Sequence, residues 1–127
     1  MTTARAEIEL TSPPDAAWAL VGDFGGLAAW MPGIESCRVD GDDRILALMG
    51  MEVTERLEQR SDDDRSIVYR IVGGVPVENH QATITVHDNG TGSRVTWDVD
   101  VTPDDMAPLM QGMYQQALAS LKEKLDG

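Results

Sequence analysis

The stretch HQATITVHDNGTGSRVTWDVDV, residues 80–101, decides the fold. Ala82, Ile84 and Val86 alternate with Gln81, Thr83 and Thr85, and Val95, Trp97, Val99 and Val101 alternate with Thr96, Asp98 and Asp100. A period of two with one apolar face is the pattern of a half-buried strand. Asp88-Asn89-Gly90-Thr91-Gly92 between them is rich in turn formers, so the pair reads as an antiparallel hairpin, dry on one face and wet on the other.

Upstream the same grammar continues. Strands are expected at Glu35 to Val39, Arg44 to Leu48, Met51 to Arg60, Ser66 to Val72, Glu78 to His87 and Ser93 to Val101. The breaks at Asp40 to Asp42, Met49-Gly50, Ser61 to Asp64 and Gly73 to Pro76 are too short for crossover helices, so the sheet is antiparallel. Downstream of Pro103, Met106, Leu109, Met110, Met113, Tyr114, Ala117, Leu118, Leu121 and Leu125 recur at helical spacing. That amphipathic helix needs the dry face of the sheet. At the other end, Ala4 to Leu10 alternates as a first strand. Ser12 is expected to cap a short helix with Pro13 at its first position, Asp15 in its first turn, Trp18, Leu20 and Val21 within it, and Gly22 at its end. A second short helix is expected over Gly25 to Trp30, closed by Pro32 and Gly33. The expected architecture is α+β: one domain over residues 1–127 with a helix-grip fold, in which a curved seven-stranded antiparallel sheet surrounds one long C-terminal helix and two short helices follow strand 1.

Composition narrows the function. The chain carries 22 acidic residues against 10 Lys and Arg, a formal charge of −12, the wrong sign for nucleic acid phosphates or an anionic membrane surface. No apolar run is long enough to span a membrane, and the start MTTARAEIEL shows no apolar signal region, so membrane insertion is not expected and a cytoplasmic location is. The single cysteine, Cys37, rules out an internal disulfide and reads as an inert strand residue. No P-loop, dinucleotide, nucleophile-elbow or zinc motif occurs, and no cofactor or metal is expected; His80 and His87, seven apart on one strand, fall on opposite faces.

Chemistry is expected where alternation fails. Glu55 takes an inward place among Met51, Val53 and Leu57, and His80 precedes Ala82 on the inward face of its strand. Tyr69 lies on the strand between, so the three are expected at similar heights, with the Glu55 and His80 backbones roughly 10 Å apart across two strand spacings. An apolar surround disfavours the charged form of both groups. A proton donor and an acceptor would then face one cavity, an arrangement suited to acid-base work on a carbonyl compound. The bland alternative is a satisfied buried hydrogen bond or ion pair among these same groups. The cavity is expected to be walled by Trp30, Val53, Ile71, Ala82, Trp97, Met110, Met113, Tyr114 and Ala117, since three Trp, two Tyr and one Phe are few for a filled interior.

The string Ser12-Pro13, Trp18, Val21, Asp23-Phe24, Leu27, Trp30, Pro32, Ile34, then Glu55-Arg56-Leu57, Tyr69, Ile71-Val72-Gly73-Gly74 and Trp97 resembles the polyketide cyclase/dehydrase branch of the START-like (SRPBCC) superfamily. Thr54 to Glu58, Val72-Gly73-Gly74 and Val77-Glu78-Asn79 also resemble the plant abscisic acid receptors. The resemblance implies a pocket for a small hydrophobic or aromatic molecule, with Glu55 and the position of His80 lining it. It departs from those receptors where their ligand-binding lysine is matched by Glu35, where the loop Ala47 to Met51 is shorter, and where Val75-Pro76-Val77 replaces their latch. A neutral or phenolic ligand fits these departures better than an anion. Three readings stand: a cofactor-free cyclase, aromatase or dehydratase using Glu55, His80 and Tyr69; a carrier or sensor without chemistry, with Gly50 and Gly73-Gly74 as loop hinges; and a partner-binding module with a filled core. Either a monomer or a homodimer is compatible.

Overall fold

The computed structural model describes residues 2–127. Seven strands run β1 Thr2–Leu10, β2 Ile34–Asp40, β3 Asp43–Leu48, β4 Met51–Ser61, β5 Ser66–Gly73, β6 Asn79–Asp88 and β7 Ser93–Thr102. Helix α1 spans Pro14–Val21, a 3₁₀ segment spans Phe24–Ala29, and α2 spans Met106–Asp126. The strands form one sheet in the order β1-β7-β6-β5-β4-β3-β2, and every pairing is antiparallel. This is the α+β helix-grip architecture expected from the strand periods. Among the described residues no helix is long and apolar enough to cross a membrane.

The β6–β7 hairpin pairs Ala82 with Val99, Ile84 with Trp97 and Val86 with Val95, all buried. Its dry face meets α2, which packs on β1 and β7 and buries Ala107, Met110, Tyr114, Ala117, Leu118 and Leu121. The polar flank of α2 is used as well. Gln111, Gln115 and Lys122 donate to the carbonyls of Arg5, Glu7 and Glu9. These donors occupy carbonyls that edge strand β1 would otherwise offer to another chain.

Four local expectations need correcting. Helix α1 begins one residue late: Pro13 is its N-cap and Pro14 its first residue. Ser12 does not cap α1, because its hydroxyl donates to Asp126 Oδ1 at 2.6 Å at the far end of α2. The second short helix is a 3₁₀ segment whose Gly26 has non-helical angles, φ −99° and ψ 16°. In α2, Leu109 and Met113 fit the apolar stripe by spacing, yet both are exposed.

Candidate functional site

A cavity of about 300 Å³ opens between α2 and the sheet, lined from the 3₁₀ segment, β2 to β5, β7 and α2. Apolar side chains form nearly all of its wall; the lining residues with polar side-chain groups are Glu55, Tyr69, Trp97 and Tyr114. Of the residues expected at the site, Glu55, Tyr69, Val53, Ile71, Trp97, Met110, Met113 and Tyr114 line this cavity. His80, Trp30, Ala82 and Ala117 are buried but are not part of its lining. Sequence reasoning did not single out Leu27, Met31, Ile34, Leu46, Leu48, Met49, Met51, Val75 or Leu109, which with Met106 complete the wall.

The register differs from the expected one. Leu57, not Glu55, stands opposite Tyr69, and Glu55 stands opposite Ile71. The irregularity between Leu57 and Gln59 causes this, and a second lies just beyond, between Thr54 and Glu55. Such bulges shift the facing of one strand against its neighbour. They keep Glu55, Leu57, Tyr69 and Ile71 all turned toward the interior.

Glu55 has a partner that the sequence reading did not identify. Arg44 lies directly across β3 and β4 from it and is 1% exposed. Its Nε donates to Glu55 Oε1 at 2.8 Å, and its Nη2 lies 2.7 Å from the same oxygen. Nη1 donates to the Phe24 carbonyl at 2.9 Å. The guanidinium also lies 3.9 Å from the centroid of the Phe24 ring and 4.8 Å from that of Tyr69, in cation–π contact with both. Glu55 is therefore one half of a buried ion pair, not a lone carboxyl in apolar space. The cation stands behind the cavity wall and the carboxylate faces in.

Next to this pair lies an aromatic floor. Trp97 Nε1 donates to the Tyr69 hydroxyl at 3.1 Å, and Tyr114 stacks on Trp97 with centroids 4.0 Å apart and planes 4° from parallel. Burial pushes both tyrosine hydroxyls up from their ordinary range, so both keep their protons. A Tyr hydroxyl can donate or accept, whereas a carboxylate only accepts. The inner end of the cavity thus offers one strong acceptor and at least one adaptable hydroxyl.

His80 is spent elsewhere. The β5–β6 ladder stops at Tyr69 and Ala82, which leaves the Ile71 N–H without a strand partner. His80 Nδ1 accepts from that N–H at 3.0 Å. Accepting there assigns the ring proton to Nε2. Burial, with the charge of Arg70 a smaller cause, lowers the His80 pKa to about 4. It is a neutral side chain completing the backbone pairing. Cys37 is half-buried, and burial raises its thiol pKa, which suits an unreactive strand residue. Among the described residues no three of His, Cys, Asp and Glu gather as metal ligands would.

With this geometry in hand, the known relatives are informative. The chain is 30% identical to the abscisic acid receptor PYL7 of Arabidopsis thaliana over 139 residues, covering 91% of this chain and 66% of the receptor's length. Among solved structures it is similar to XoxI from Bacillus cereus, with 30% identity, TM-score 0.93 and coverage of 98% of this chain and 96% of that one. A START superfamily protein from Mycobacterium smegmatis shares the fold at 15% identity, with TM-score 0.74 over 98% of this chain and 97% of that one. Residues 1–126 match the model of the family described as polyketide cyclase / dehydrase and lipid transport, and the chain belongs to that family of the SRPBCC superfamily.

Proposed function

We propose that this chain binds one small, neutral, largely apolar molecule, aromatic or lipid-like, with its polar end against Glu55 and Tyr114, and acts as a carrier or sensor. The observation that carries the reading is the apolar cavity of about 300 Å³, only four of whose lining residues have polar side-chain groups. That volume is at the small end of ligand sites, and its lining matches their usual make-up of apolar walls with a few placed polar groups. The family description joins cyclases to lipid transport, and the plant relative is named as an abscisic acid receptor. The first points to apolar ligands and the second to binding of a small organic molecule. A catalytic reading would ask Glu55 and His80 to move protons with Tyr69 orienting a carbonyl. The Arg44 partner of Glu55 and the Ile71 partner of His80 favour binding without that chemistry.

A matched ligand series tests the proposal. 2-Naphthol, 2-methoxynaphthalene and 2-naphthoate differ only at the end that would meet the floor, and Trp97 in the wall reports binding by its fluorescence. A hydrogen bond to a charged group contributes about 1.5–3 kcal/mol, so 2-naphthol should bind at least about tenfold tighter than its methyl ether. The carboxylate should bind most weakly, because no Lys or Arg lines the cavity. Failure of every neutral apolar compound to bind would remove the proposal. Turnover of a cyclisable substrate, abolished by His80→Phe, would replace it with the enzymatic reading.

A further inference from the structure

The chain has seven methionines, and the six beyond Met1, namely Met31, Met49, Met51, Met106, Met110 and Met113, all line this cavity. They are not equally sheltered. Met49 is 76% exposed, Met51 50% and Met113 38%, against 8% for Met31 and 6% for Met110. The first two belong to the β3–β4 hairpin and the third to α2, and together they form a thioether rim at the mouth. Met49 is held there at a backbone cost. Its φ is +53° and that of Gly50 is +76°, left-handed angles at both central positions of a tight turn, where Asn-Gly is the favoured pair. An unbranched apolar side chain in that setting is neither a packing requirement nor a turn preference, and backbone outliers of this kind gather at functional sites.

We propose that Met49, Met51 and Met113 are an oxidation site, and that their sulfoxidation by peroxide closes the cavity to apolar ligands. The inference rests on the ligand-binding reading above. In the step, a sulfur lone pair attacks one oxygen of hydrogen peroxide; the S–O bond forms and the O–O bond breaks. The departing hydroxide takes the proton from the new S–OH group, leaving sulfoxide and water. Sulfur loses two electrons and peroxide gains them. The product is a polar group in place of a flexible apolar one. The same cavity is lined by apolar side chains such as Leu109 and Val75, so a ligand seated in the mouth would strip water from the sulfoxide without returning a hydrogen bond. Buried Met31 and Met110 react later.

The test uses the full chain and N-phenyl-1-naphthylamine, a neutral apolar fluorophore. Limited hydrogen peroxide should place oxygen on Met49, Met51 and Met113 first, read by peptide mass spectrometry. Probe affinity should fall at least about tenfold with the far-UV circular dichroism unchanged, and methionine sulfoxide reductases should restore it. In a Met49→Leu, Met51→Leu, Met113→Leu variant, affinities with and without peroxide should agree within about twofold. The corresponding Gln variant should bind the probe as weakly as the oxidised protein without any treatment. Equal oxidation rates at Met31 and Met110, or full affinity with all three rim sulfoxides in place, would overturn this inference alone. No probe binding by the reduced protein would overturn the binding reading and this one with it.

Discussion

Replacing Glu55 by Leu should cost more than any packing change of similar size, because it strands a buried cation. Arg44 is 1% exposed, and its Nε and Nη2 lie 2.8 and 2.7 Å from Glu55 Oε1. Removing one partner of such a pair destabilises by about 3–5 kcal/mol, chiefly through the charge left unpaired. With a urea slope of about 1–3 kcal/mol per molar, the midpoint should fall by roughly 2 M. Arg44→Met should cost somewhat less on the charge side, since Glu55 lines the cavity and water can enter there. It also orphans the Phe24 carbonyl that Nη1 serves, adding about 1–3 kcal/mol. The double variant Arg44→Met, Glu55→Leu leaves only that carbonyl unpaired, so it should lie within about 1–3 kcal/mol of the wild type. The sum of the single costs should exceed the double cost by about 3 kcal/mol or more. Urea unfolding followed by circular dichroism, with the slope checked for constancy, measures all four corners of the cycle. Additive single effects, or single costs below about 1 kcal/mol, would refute the claim that the pair is buried and mutually dependent.

Two further outcomes follow from titrating groups. His80 has its pKa lowered to about 4 in the folded chain, against about 6.5 unfolded, so between those values the unfolded state binds more protons. Stability should hold above about pH 6.5 and drop as pH falls toward 4, by up to about 2–3 kcal/mol; NMR titration of the His80 ring and pH-dependent melting check this, and His80→Gln should flatten the decline. Asp126 accepts from the backbone N–H groups of Thr11 and Ser12, from the Ser12 hydroxyl and from Lys122. These bonds hold its pKa below the usual carboxylate range, so their contribution is present above about pH 4 and lost as pH falls below it. Asp126→Asn should speed hydrogen exchange at the end of α2 and around Thr11 and Ser12 while leaving β6 and β7 protected, whereas uniform exchange across the chain would contradict that local role.

The periods of two and 3.6 made the sheet and α2 legible, because those elements bury one continuous face each and nothing competes with the pattern. The site was half legible. Glu55 and His80 stand out as polar residues on dry faces, and the same alternation carries Arg44 with Leu46 and Leu48. Counting outward from the Met49-Gly50 turn, where Leu48 meets Met51, sets Arg44 opposite Glu55. That pairing was available from the sequence and was missed because Arg44 sits at a strand end beside an acidic turn. The register of β4 against β5 was not available. Pairing outward from Ser61 and Ser66 without a bulge sets Tyr69 opposite Glu58. Tertiary packing demands an inward Leu57 there, and a bulge is how the strand complies. Ser12 was misread for a related reason: a good capping side chain was claimed by a carboxylate 114 residues away.

The bulges also bear on what the cavity can recognise. The one between Leu57 and Gln59 brings Glu55 level with Ile71, whose N–H occupies His80, so the two candidate proton movers flank one residue yet serve different partners. Arg44 balances the charge of Glu55 from behind the wall, and the Tyr69 hydroxyl already receives the Trp97 N–H. What remains for a guest is an acceptor and a hydroxyl at the end of an apolar chamber with no facing cation. Such a chamber gains little from a ligand's charge and must meet the full cost of stripping water from it. A buried donor, by contrast, finds a partner there that the methyl ether of the same molecule cannot use. On the proposed binding reading, the Arg44–Glu55 pair would therefore select a ligand by hydrogen-bond donation rather than by charge, which a lone glutamate in the same position would not.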